Sequence, residues 1–419
     1  MNKPFRLSPA FASFFIYGAL QAQPLLTPDE AVHLALEKNF SLSLARDQTA
    51  EAVVNRQSAI GPFLPGASAS VNTSGNLKDS VTRQTTVGAA LNWQIFEGFQ
   101  SYHAYRRLKS SEKAAEWQER LAVETTVEAV LNAYYGVVLQ KQLLAAIQEK
   151  TGVTEDQAKL AQAKAGVGSG SHLDALQAIA TLNEDSSSLL SQQVALHEAK
   201  IQLNQLLARA PETDFEVSDS IPVETGLPVE KWRATLADDN STVLQAQARR
   251  NAATSGLGEA RGLWWPSLNA GVAYSSTPSS LNSGSTRPDG ATYSVNLTVP
   301  LFDQLRGHQA VSNAKLELRQ SETRFQQALE DVRAEFEQEH RKYAAGRQRV
   351  DLETRNLDVA IQQADAAQER YKAGSGTALE FRDAQRILLD ARSRLATARQ
   401  NTQQAELALK RLAGALVKE

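Results

Sequence analysis

Two kinds of hydrophobic pattern alternate along the chain. Four short segments alternate apolar and polar residues with a period of two, which is typical of strands with one apolar and one wet face. The clearest is ATYSVNLTVPL, in which Tyr293, Val295 and Leu297 point away from Ser294 and Asn296. The other three segments are GASASVNTS, TVGAALNWQI and SLNAGVAY. Between them run long stretches with apolar residues at helical spacing, so the pattern predicts a mainly helical chain with a small β part.

Matching motifs at one constant spacing indicate an internal duplication. NWQIFEGFQS aligns with TVPLFDQLRG, which places Phe96 on Phe302, 206 residues further on. KAGVGSGSHLDALQA aligns with YKAGSGTALEFRDAQ at the same offset, so that Gly168 falls on Gly374. We predict a first repeat at residues 23–210, a linker or equatorial segment at 211–228 and a second repeat at 229–419.

Each repeat is predicted to contain the same five parts. A helix comes first, at 28–60 and again at 228–262, and a β-hairpin follows, at 63–98 and 264–303. A helix of about 65 residues, a Gly-rich turn and a helix of about 37 residues complete the repeat. Within each repeat, the last helix is expected to stack end to end on the first helix. The two together make one composite rod beside the long helix.

The last helix of the chain shows a heptad pattern, which predicts close packing against a neighbouring helix. Two lines of residues step by seven, and one of them is mostly alanine, which allows the helices to approach closely. The lines are Phe381, Leu388, Leu395, Thr402 and Leu409, and Ala384, Ala391, Ala398, Ala405 and Leu412.

The strand count decides the expected assembly. Four strands cannot close a barrel, and an open sheet edge is not tolerated in lipid. Three chains with four strands each would form a 12-stranded transmembrane β-barrel, continued by a 12-helix coiled-coil tube. A soluble β-sandwich and a solid coiled-coil spacer are the alternatives that the patterns leave open.

Composition and the N-terminus narrow the class of protein. The formal net charge is −3 with both signs interspersed, so no nucleic-acid partner is indicated. Residues 1–22 have a basic start, an apolar run and a small residue for cleavage, which predicts a signal peptide, with a membrane anchor as the alternative. The chain has no cysteine, and its histidines lack metal-ligand spacing. We therefore expect no cofactor, no metal and no enzyme activity.

The duplicated junctions and turns resemble the TolC family of outer-membrane efflux and secretion channels. The likeness rests on IFEGFQ and LFDQLRG, and on AGVGSGSHLDALQA and YKAGSGTALEFRDA, and it covers nearly all of residues 27–414. It implies a homotrimer in the outer membrane, in contact with its lipid, that extends into the periplasm. It also implies two further partners, a periplasmic adaptor protein and an inner-membrane pump.

The resemblance also implies roles for particular residues. Val167 and Gly168 match the family's adaptor-docking turn in the first repeat, and Ala373 and Gly374 match it in the second, where the valine is missing. Tyr371 and Asp174 match a pair that closes the tube. Glu380 and Asp383 match an acidic ring at the entrance. Gly376 stands where well-known members carry a latch arginine.

Each of these residues also has a purely structural interpretation. Glu380 and Asp174 lie in first turns of helices, where the helix dipole favours an acid. Asp383 could be a solvated surface residue, and Tyr371 an ordinary packed aromatic. For the whole protein, the expected function is the exit duct of a tripartite efflux system. The alternatives are the outer-membrane part of a type I protein secretion system and a non-conducting periplasmic scaffold.

Overall fold

The computed structural model describes residues 25–76, 79–276 and 290–417, with side chains described throughout these ranges except at 76–84. The predicted signal peptide, residues 1–22, lies outside them. Within the described chain, helices dominate and the β part is small, as predicted. The elements of the first half are α1 (Pro28–Lys38), α2 (Phe40–Ser58), β1 (Gly66–Asn76), β2 (Asp79–Glu97), α3 (Gln100–Gly166) and α4 (His172–Leu206). Those of the second half are α5 (Val229–Asp239), α6 (Ser241–Gly262), β3 (Ser267–Ser276), β4 (Gly290–Thr298), α7 (Arg306–Lys372) and α8 (Ala378–Leu412).

The long helices are two antiparallel hairpins. Helices α3 and α7 each have 67 residues, which corresponds to about 100 Å at the α-helical rise. Each turns into a 35-residue partner, α4 or α8. These lengths agree with the predicted pattern of a long helix, a turn and a shorter helix in both repeats.

The prediction of one continuous helix at the start of each repeat was wrong, because the structure has two helices there. Asn39 separates α1 from α2, and Asn240 separates α5 from α6, each with an extended backbone. The side-chain oxygen of each asparagine caps the following helix, accepting a hydrogen bond from the N–H of Ser41 in one case and of Thr242 in the other. An N-cap interrupts a helix that hydrophobic periodicity alone would continue.

The same asparagines join the composite rods. The Nδ2 group of Asn39 donates a 2.8 Å hydrogen bond to the carbonyl oxygen of Leu206. Asn240 does the same to Leu412, at 3.0 Å. Since Leu206 and Leu412 are the last residues of α4 and α8, helix α2 begins where α4 ends and α6 begins where α8 ends. The predicted end-to-end stacking is thus present, but without α1 and α5.

The predicted heptad seam of α8 is buried. All ten residues of its two lines are less than 9% exposed, among them Ala391 at 0% and Leu388 at 8%. They pack against α7, where Ala360 and Ala364 form a small apolar cluster with Leu388 and Ala391. Alanine on both sides of the seam permits the close approach that the sequence pattern predicted.

The four strands form one antiparallel sheet in the order β1-β2-β3-β4. Its register aligns the apolar residues of neighbouring strands: Leu91 faces Val272, and Val272 faces Tyr293. Polar residues align in the same way, with Asn269 opposite Asn296. The sheet therefore has one continuous apolar face and one continuous polar face, and neither β1 nor β4 has a second partner among the described strands.

Two consecutive left-handed residues lie at each turn from strand to helix, Gly98 and Phe99 in the first repeat and Gln304 and Leu305 in the second. A register shift between Gln94 and Phe96 brings the end of β2 to the junction. Phe99 and Leu305, which are 206 residues apart, have φ of 62° and 65° and act as N-caps of α3 and α7. The matching sequences IFEGFQ and LFDQLRG therefore also have matching backbone conformations at these residues. The rings of Trp265 and Phe99 pack edge to face, with their centroids 6.1 Å apart.

Segments outside the rods pack against the long helices near their middle. The 211–228 segment packs on α3 through Phe215 and Val217, which are 0% and 2% exposed. Helix α1 joins the same cluster, and α5 packs on α7. The Tyr134 hydroxyl donates to the carbonyl oxygen of Leu26 at 2.9 Å, which ties the start of the described chain to α3. None of the described helices is long and apolar enough to cross a membrane.

Candidate functional site

The two hairpin tips have the same backbone. Gly168 and Gly374 both adopt φ of +74°, a left-handed conformation that glycine adopts without strain. The carbonyl oxygen of Lys164 accepts hydrogen bonds from the N–H groups of Ser169 and Gly170, at 2.9 and 3.0 Å. In the second tip the carbonyl of Arg370 accepts the corresponding pair, each at 3.0 Å. Each long helix therefore ends in the same capped turn, as the repeated motif predicted.

The side chains proposed for docking differ between these turns. Val167 is 79% exposed, and its counterpart Ala373 is also exposed. Gly168 and Gly374 have open space where a side chain would start. The first tip therefore presents an isopropyl group where the second presents a methyl group, on the same backbone shape.

Glu380 has the structural role that was its alternative interpretation. Its N–H donates to the Thr377 hydroxyl at 3.2 Å, and its carboxylate accepts from the Thr377 N–H at 3.3 Å. This reciprocal pair is a capping box, which stabilises the start of α8. Arg370, at the end of α7, lies 3.7 Å from the same carboxylate, and the Glu380 side chain remains 53% exposed.

Asp383 pairs with a base on its own helix. Arg386 donates to the Asp383 carboxylate at 2.8 Å and also contacts Asp390 at 3.2 Å. The Asp383 side chain is 54% exposed, so this is a surface ion pair of small energetic weight. Glu380 and Asp383 lie three residues apart and share a helix face. The ring of these acids depends on further copies of the chain and stays a prediction.

Tyr371 is held by its own hairpin. Its ring stacks on Phe381, with centroids 5.4 Å apart and planes 6° apart, and Phe381 is only 3% exposed. Asp174 lies exposed in the first turn of α4. Among the described residues no hydrogen bond joins Tyr371 to Asp174. The closing pair also stays a prediction.

Gly376 stands where local packing leaves little room. A Cβ atom at this position would lie 3.2 Å from the backbone carbon of Arg370 and from the nitrogen of Tyr371. Gly170 is similarly close to Lys164 in the first tip. This crowding gives a structural reason for glycine at this position.

Sequence reasoning missed a set of buried ionic groups on the long helices. Glu124 is 1% exposed and accepts hydrogen bonds from the Ser241 hydroxyl at 2.9 Å and the Arg120 Nε at 3.1 Å. Burial raises the pKa of the Glu124 carboxyl above its ordinary value of 4.5, and those two hydrogen bonds offset the shift only in part. Nearby, Arg411 binds Glu128 of α3 and Glu335 of α7.

A second buried charge lies in the first hairpin. Asp185 of α4, 4% exposed, accepts from Lys150 and from the Thr154 hydroxyl of α3, both at 2.7 Å. The corresponding positions of the second repeat are Asn356, Ala360 and Ala391. The burial of these groups could not be predicted from periodicity, since a charged residue within a long polar helix usually lies on the helix surface. The described residues contain no cluster of His, Asp and Glu suited to a metal ion.

Comparison with known proteins decides the family. The sequence profile described as "Outer membrane efflux protein" matches residues 31–209 and again 232–415, once in each repeat. The chain belongs to the outer membrane efflux protein family. The double match also confirms the internal duplication.

Individual relatives share little sequence identity with this chain, but the alignments cover most of its length. Protein CyaE of Bordetella pertussis is 26% identical over 379 residues, which cover 87% of this chain and 79% of the relative. Outer membrane efflux protein BepC of Brucella suis is 23% identical over 328 residues, 77% of this chain and 71% of the relative. The CmeC outer membrane channel of Campylobacter jejuni has a similar fold, with a TM-score of 0.79 at 18% identity over 93% of this chain and 85% of CmeC.

Membership of this family gives the general function. The protein is an outer-membrane channel component of the efflux and secretion class that extends into the periplasm. Its family consists of non-enzymatic conduits. The two faces of the sheet fit this location, since an apolar face suits lipid and a polar face suits an aqueous path.

Proposed function

We propose that the protein is the passive exit duct of a tripartite efflux system, formed by three copies of the chain. A periplasmic adaptor protein docks at the tips through Val167, Gly168, Ala373 and Gly374. An inner-membrane pump supplies the energy. Substrate then diffuses through the tube and leaves through the barrel.

The sheet carries this proposal. Its apolar face exposes Val272, Tyr293 and Val295, at 52%, 86% and 65%. Its outer strands β1 and β4 leave backbone donors and acceptors unpaired, which a lipid environment does not permit. Pairing β4 of one copy with β1 of the next would repeat the antiparallel contact that β2 and β3 make within the chain. Three copies would then close a barrel of twelve strands.

The rods support the same assembly. The composite rod of α2 and α4 exposes apolar side chains that no described element covers, including Phe40 at 74% and Leu190 at 64%. Helix α7, on the far side of the chain, exposes Leu352 and Val359 at 50% and 64%. A neighbouring copy that places its α7 against this rod would bury both sets. A solitary periplasmic scaffold has no use for the strands.

At the periplasmic end we assign the acidic entrance ring to Glu380 and Asp383, and the closing contact to Tyr371 and Asp174. Three copies would place six carboxylates around the opening, which attracts cations. The capping box and the Arg386 pair fix where these carboxylates lie without burying them.

Single-channel conductance in planar bilayers tests the proposal, using the purified full chain with and without a trivalent cation. We expect discrete cation-selective currents that the trivalent cation blocks from the tip side. Currents without block would retain the channel and refute the acidic ring. Folded trimers that never conduct, even when Tyr371 and Asp174 are replaced, would refute the exit duct.

A further inference from the structure

Among the strand residues with described side chains, the polar face carries a single charge, that of Glu97, the last residue of β2, which pairs with Ser267. Strand residues 66–75, 85–96, 267–276 and 290–298 include no Asp, Glu, Lys or Arg. The rest of the polar face consists of Ser, Thr, Asn, Gln, Gly and Ala. The long helices, by contrast, are rich in both acids and bases, so the low charge of this face is a local property.

The register sorts this face into rows that run across the strands. One row aligns Gly88 with Ser275 and Gly290, and the next aligns Ala90 with Ala273 and Thr292. Side chains are larger in the rows nearer the helices, which align Asn92 with Gly271 and Ser294, and Gln94 with Asn269 and Asn296. Amides therefore concentrate in these two rows, which are separated from the tube by the row of Glu97, Ser267 and Thr298.

Gly271 keeps the first amide row tightly packed. A Cβ atom on this residue would lie 3.0 Å from Asn92 Oδ1 and 3.1 Å from Ser294 Oγ. The side chains on both sides thus lean over the glycine and cover its backbone. This leaves a surface of hydroxyl and amide groups, which can both donate and accept hydrogen bonds.

The acids nearest the helices, Glu97 at the end of β2 and Asp303 after β4, are engaged by helix N-termini. Glu97 Oε1 accepts a 2.8 Å hydrogen bond from the Ser101 N–H, and Asp303 Oδ2 accepts one of 2.6 Å from the Gly307 N–H. Both carboxylates lie at the start of a 67-residue helix, whose dipole opposes their negative charge. The duplicated junction therefore adds little free negative field to the neutral face.

We propose that the barrel is an exit segment indifferent to the sign of a solute's charge, with Asn92, Gln94, Asn269 and Asn296 as its lining amides. This rests on the proposed channel. Selection by charge would then lie outside this described section of the barrel. Neutral groups that both donate and accept hydrogen bonds solvate cations and anions alike, whereas a ring of fixed charges would favour one sign. The substrates that such an exit fits include organic cations, anions and zwitterions.

The absence of cysteine from the sequence makes a direct test possible. Ser294→Cys lies on the polar face and Val295→Cys, its neighbour, on the apolar face. Each variant, in purified trimers inserted in vesicles, is treated with a cationic and an anionic methanethiosulfonate of similar size. Rates are divided by those for a small free thiol. We expect Ser294→Cys to react with both reagents, with a normalised ratio within about threefold of one at low and high salt.

A matched variant shows that the assay can detect a fixed charge. Adding Asn269→Asp to Ser294→Cys introduces a carboxylate in the adjacent row, and it should raise the cation preference several-fold at low salt. A preference above about tenfold in Ser294→Cys itself, lost at high salt, would overturn the neutral exit and leave the channel intact. Reaction at Val295→Cys without reaction at Ser294→Cys would overturn the channel assignment of the two faces.

Discussion

The side-chain amide of Asn240 donates a 3.0 Å hydrogen bond to the carbonyl oxygen of Leu412, 172 residues further along the chain. Its oxygen at the same time accepts from the N–H groups of Thr242 and Val243, at 3.0 and 3.2 Å. One buried side chain thereby provides hydrogen-bond partners for a backbone carbonyl at the end of α8 and for two backbone N–H groups at the start of α6. Asn39 has the same double role between α4 and α2, in a more exposed position.

We expect Asn240→Ala to lower the free energy of unfolding by about 1–3 kcal/mol, because it removes an N-cap and leaves a buried carbonyl without a partner. Asn39→Ala should cost less, since water can replace the lost bonds there. Denaturant unfolding in detergent, followed by helical circular dichroism, measures both. Asn240→Ser keeps a capping oxygen and loses only the bridge, so it should fall between alanine and wild type. Equal stability of all four proteins would contradict this account.

Removing charge at the tip should change ion selectivity without unfolding the hairpin. In Glu380→Gln with Asp383→Asn, glutamine can maintain the capping box with Thr377. We expect a lower cation-to-anion permeability ratio and at least a several-fold weaker block by trivalent cations. Reversal potentials across a salt gradient provide the measurement. Arg386→Gln, which removes the partner of Asp383, is the control and should leave the block in place. An unchanged reversal potential in the double variant would argue against the ring.

The closing pair is testable because Tyr371→Phe keeps the ring that stacks on Phe381 and removes only the hydroxyl. Combined with Asp174→Ala, it should raise the resting conductance several-fold if a hydrogen bond of ordinary strength holds the tip shut. Phe381→Leu is a useful comparison, since it disturbs the ring and keeps the hydroxyl. Resting conductance at the wild-type level in Tyr371→Phe with Asp174→Ala would place closure elsewhere.

Glu124 should make stability depend on pH in a defined direction. The pKa of its carboxyl is raised in the folded state by burial, so the folded protein binds this proton more tightly than the unfolded chain does. The destabilising contribution of the buried charge is therefore present above the folded pKa and fades as pH falls towards 4.5. Relative to Glu124→Gln, wild type should gain stability on acidification from neutral pH.

Thermal unfolding of wild type and Glu124→Gln between neutral pH and about 4.5 measures this difference. Arg120 and Arg411 are the bases that face Glu124. If attraction to these bases outweighed burial, wild type would instead lose stability relative to Glu124→Gln as the pH falls. That result would reverse the sign of the prediction.

Gly346 is a helical glycine whose replacement by alanine should destabilise the protein. A Cβ atom there would lie 2.5 Å from the Thr402 hydroxyl oxygen and 3.2 Å from its Cβ, and Thr402 is fully buried. We expect Gly346→Ala to cost about 1–3 kcal/mol despite the better helix propensity of alanine. Adding Thr402→Ala should restore most of the loss, which a double-mutant cycle of unfolding free energies would reveal. Additive effects would contradict direct contact.

Periodicity predicted those elements whose residues repeat with a fixed step. The seam from Phe381 to Leu409 and the alternation from Tyr293 to Leu297 are regular, and the fold buries or aligns them as expected. The helix breaks at Asn39 and Asn240 were not predicted, because apolar spacing continues past them and asparagine within a helix is only weakly unfavourable. The burial of Glu124 and Asp185 was not predicted because it depends on packing against other helices, from which Ser241 binds Glu124 and Lys150 binds Asp185.

The tip residues mark the limit of sequence reasoning in another way. The glycine turn and the position of Glu380 in the first turn of α8 are local, and local chemistry predicted them, whereas the reciprocal bonds of Glu380 with Thr377 were seen only in the structure. The ring and the closing pair depend on how copies of the chain meet, which neither spacing nor composition encodes. Their assignment came from family resemblance alone and stays a prediction.

The antiparallel contact between β2 and β3 joins the two repeats, and this has an evolutionary consequence. In the proposed trimer the contact between β4 and β1 of neighbouring copies has the same form, so one kind of interface serves six times around the ring. An ancestor of a single repeat could have built the same barrel from six identical subunits. Fusion of two such repeats would leave matching positions, such as Val167 and Ala373, free to differ within one chain.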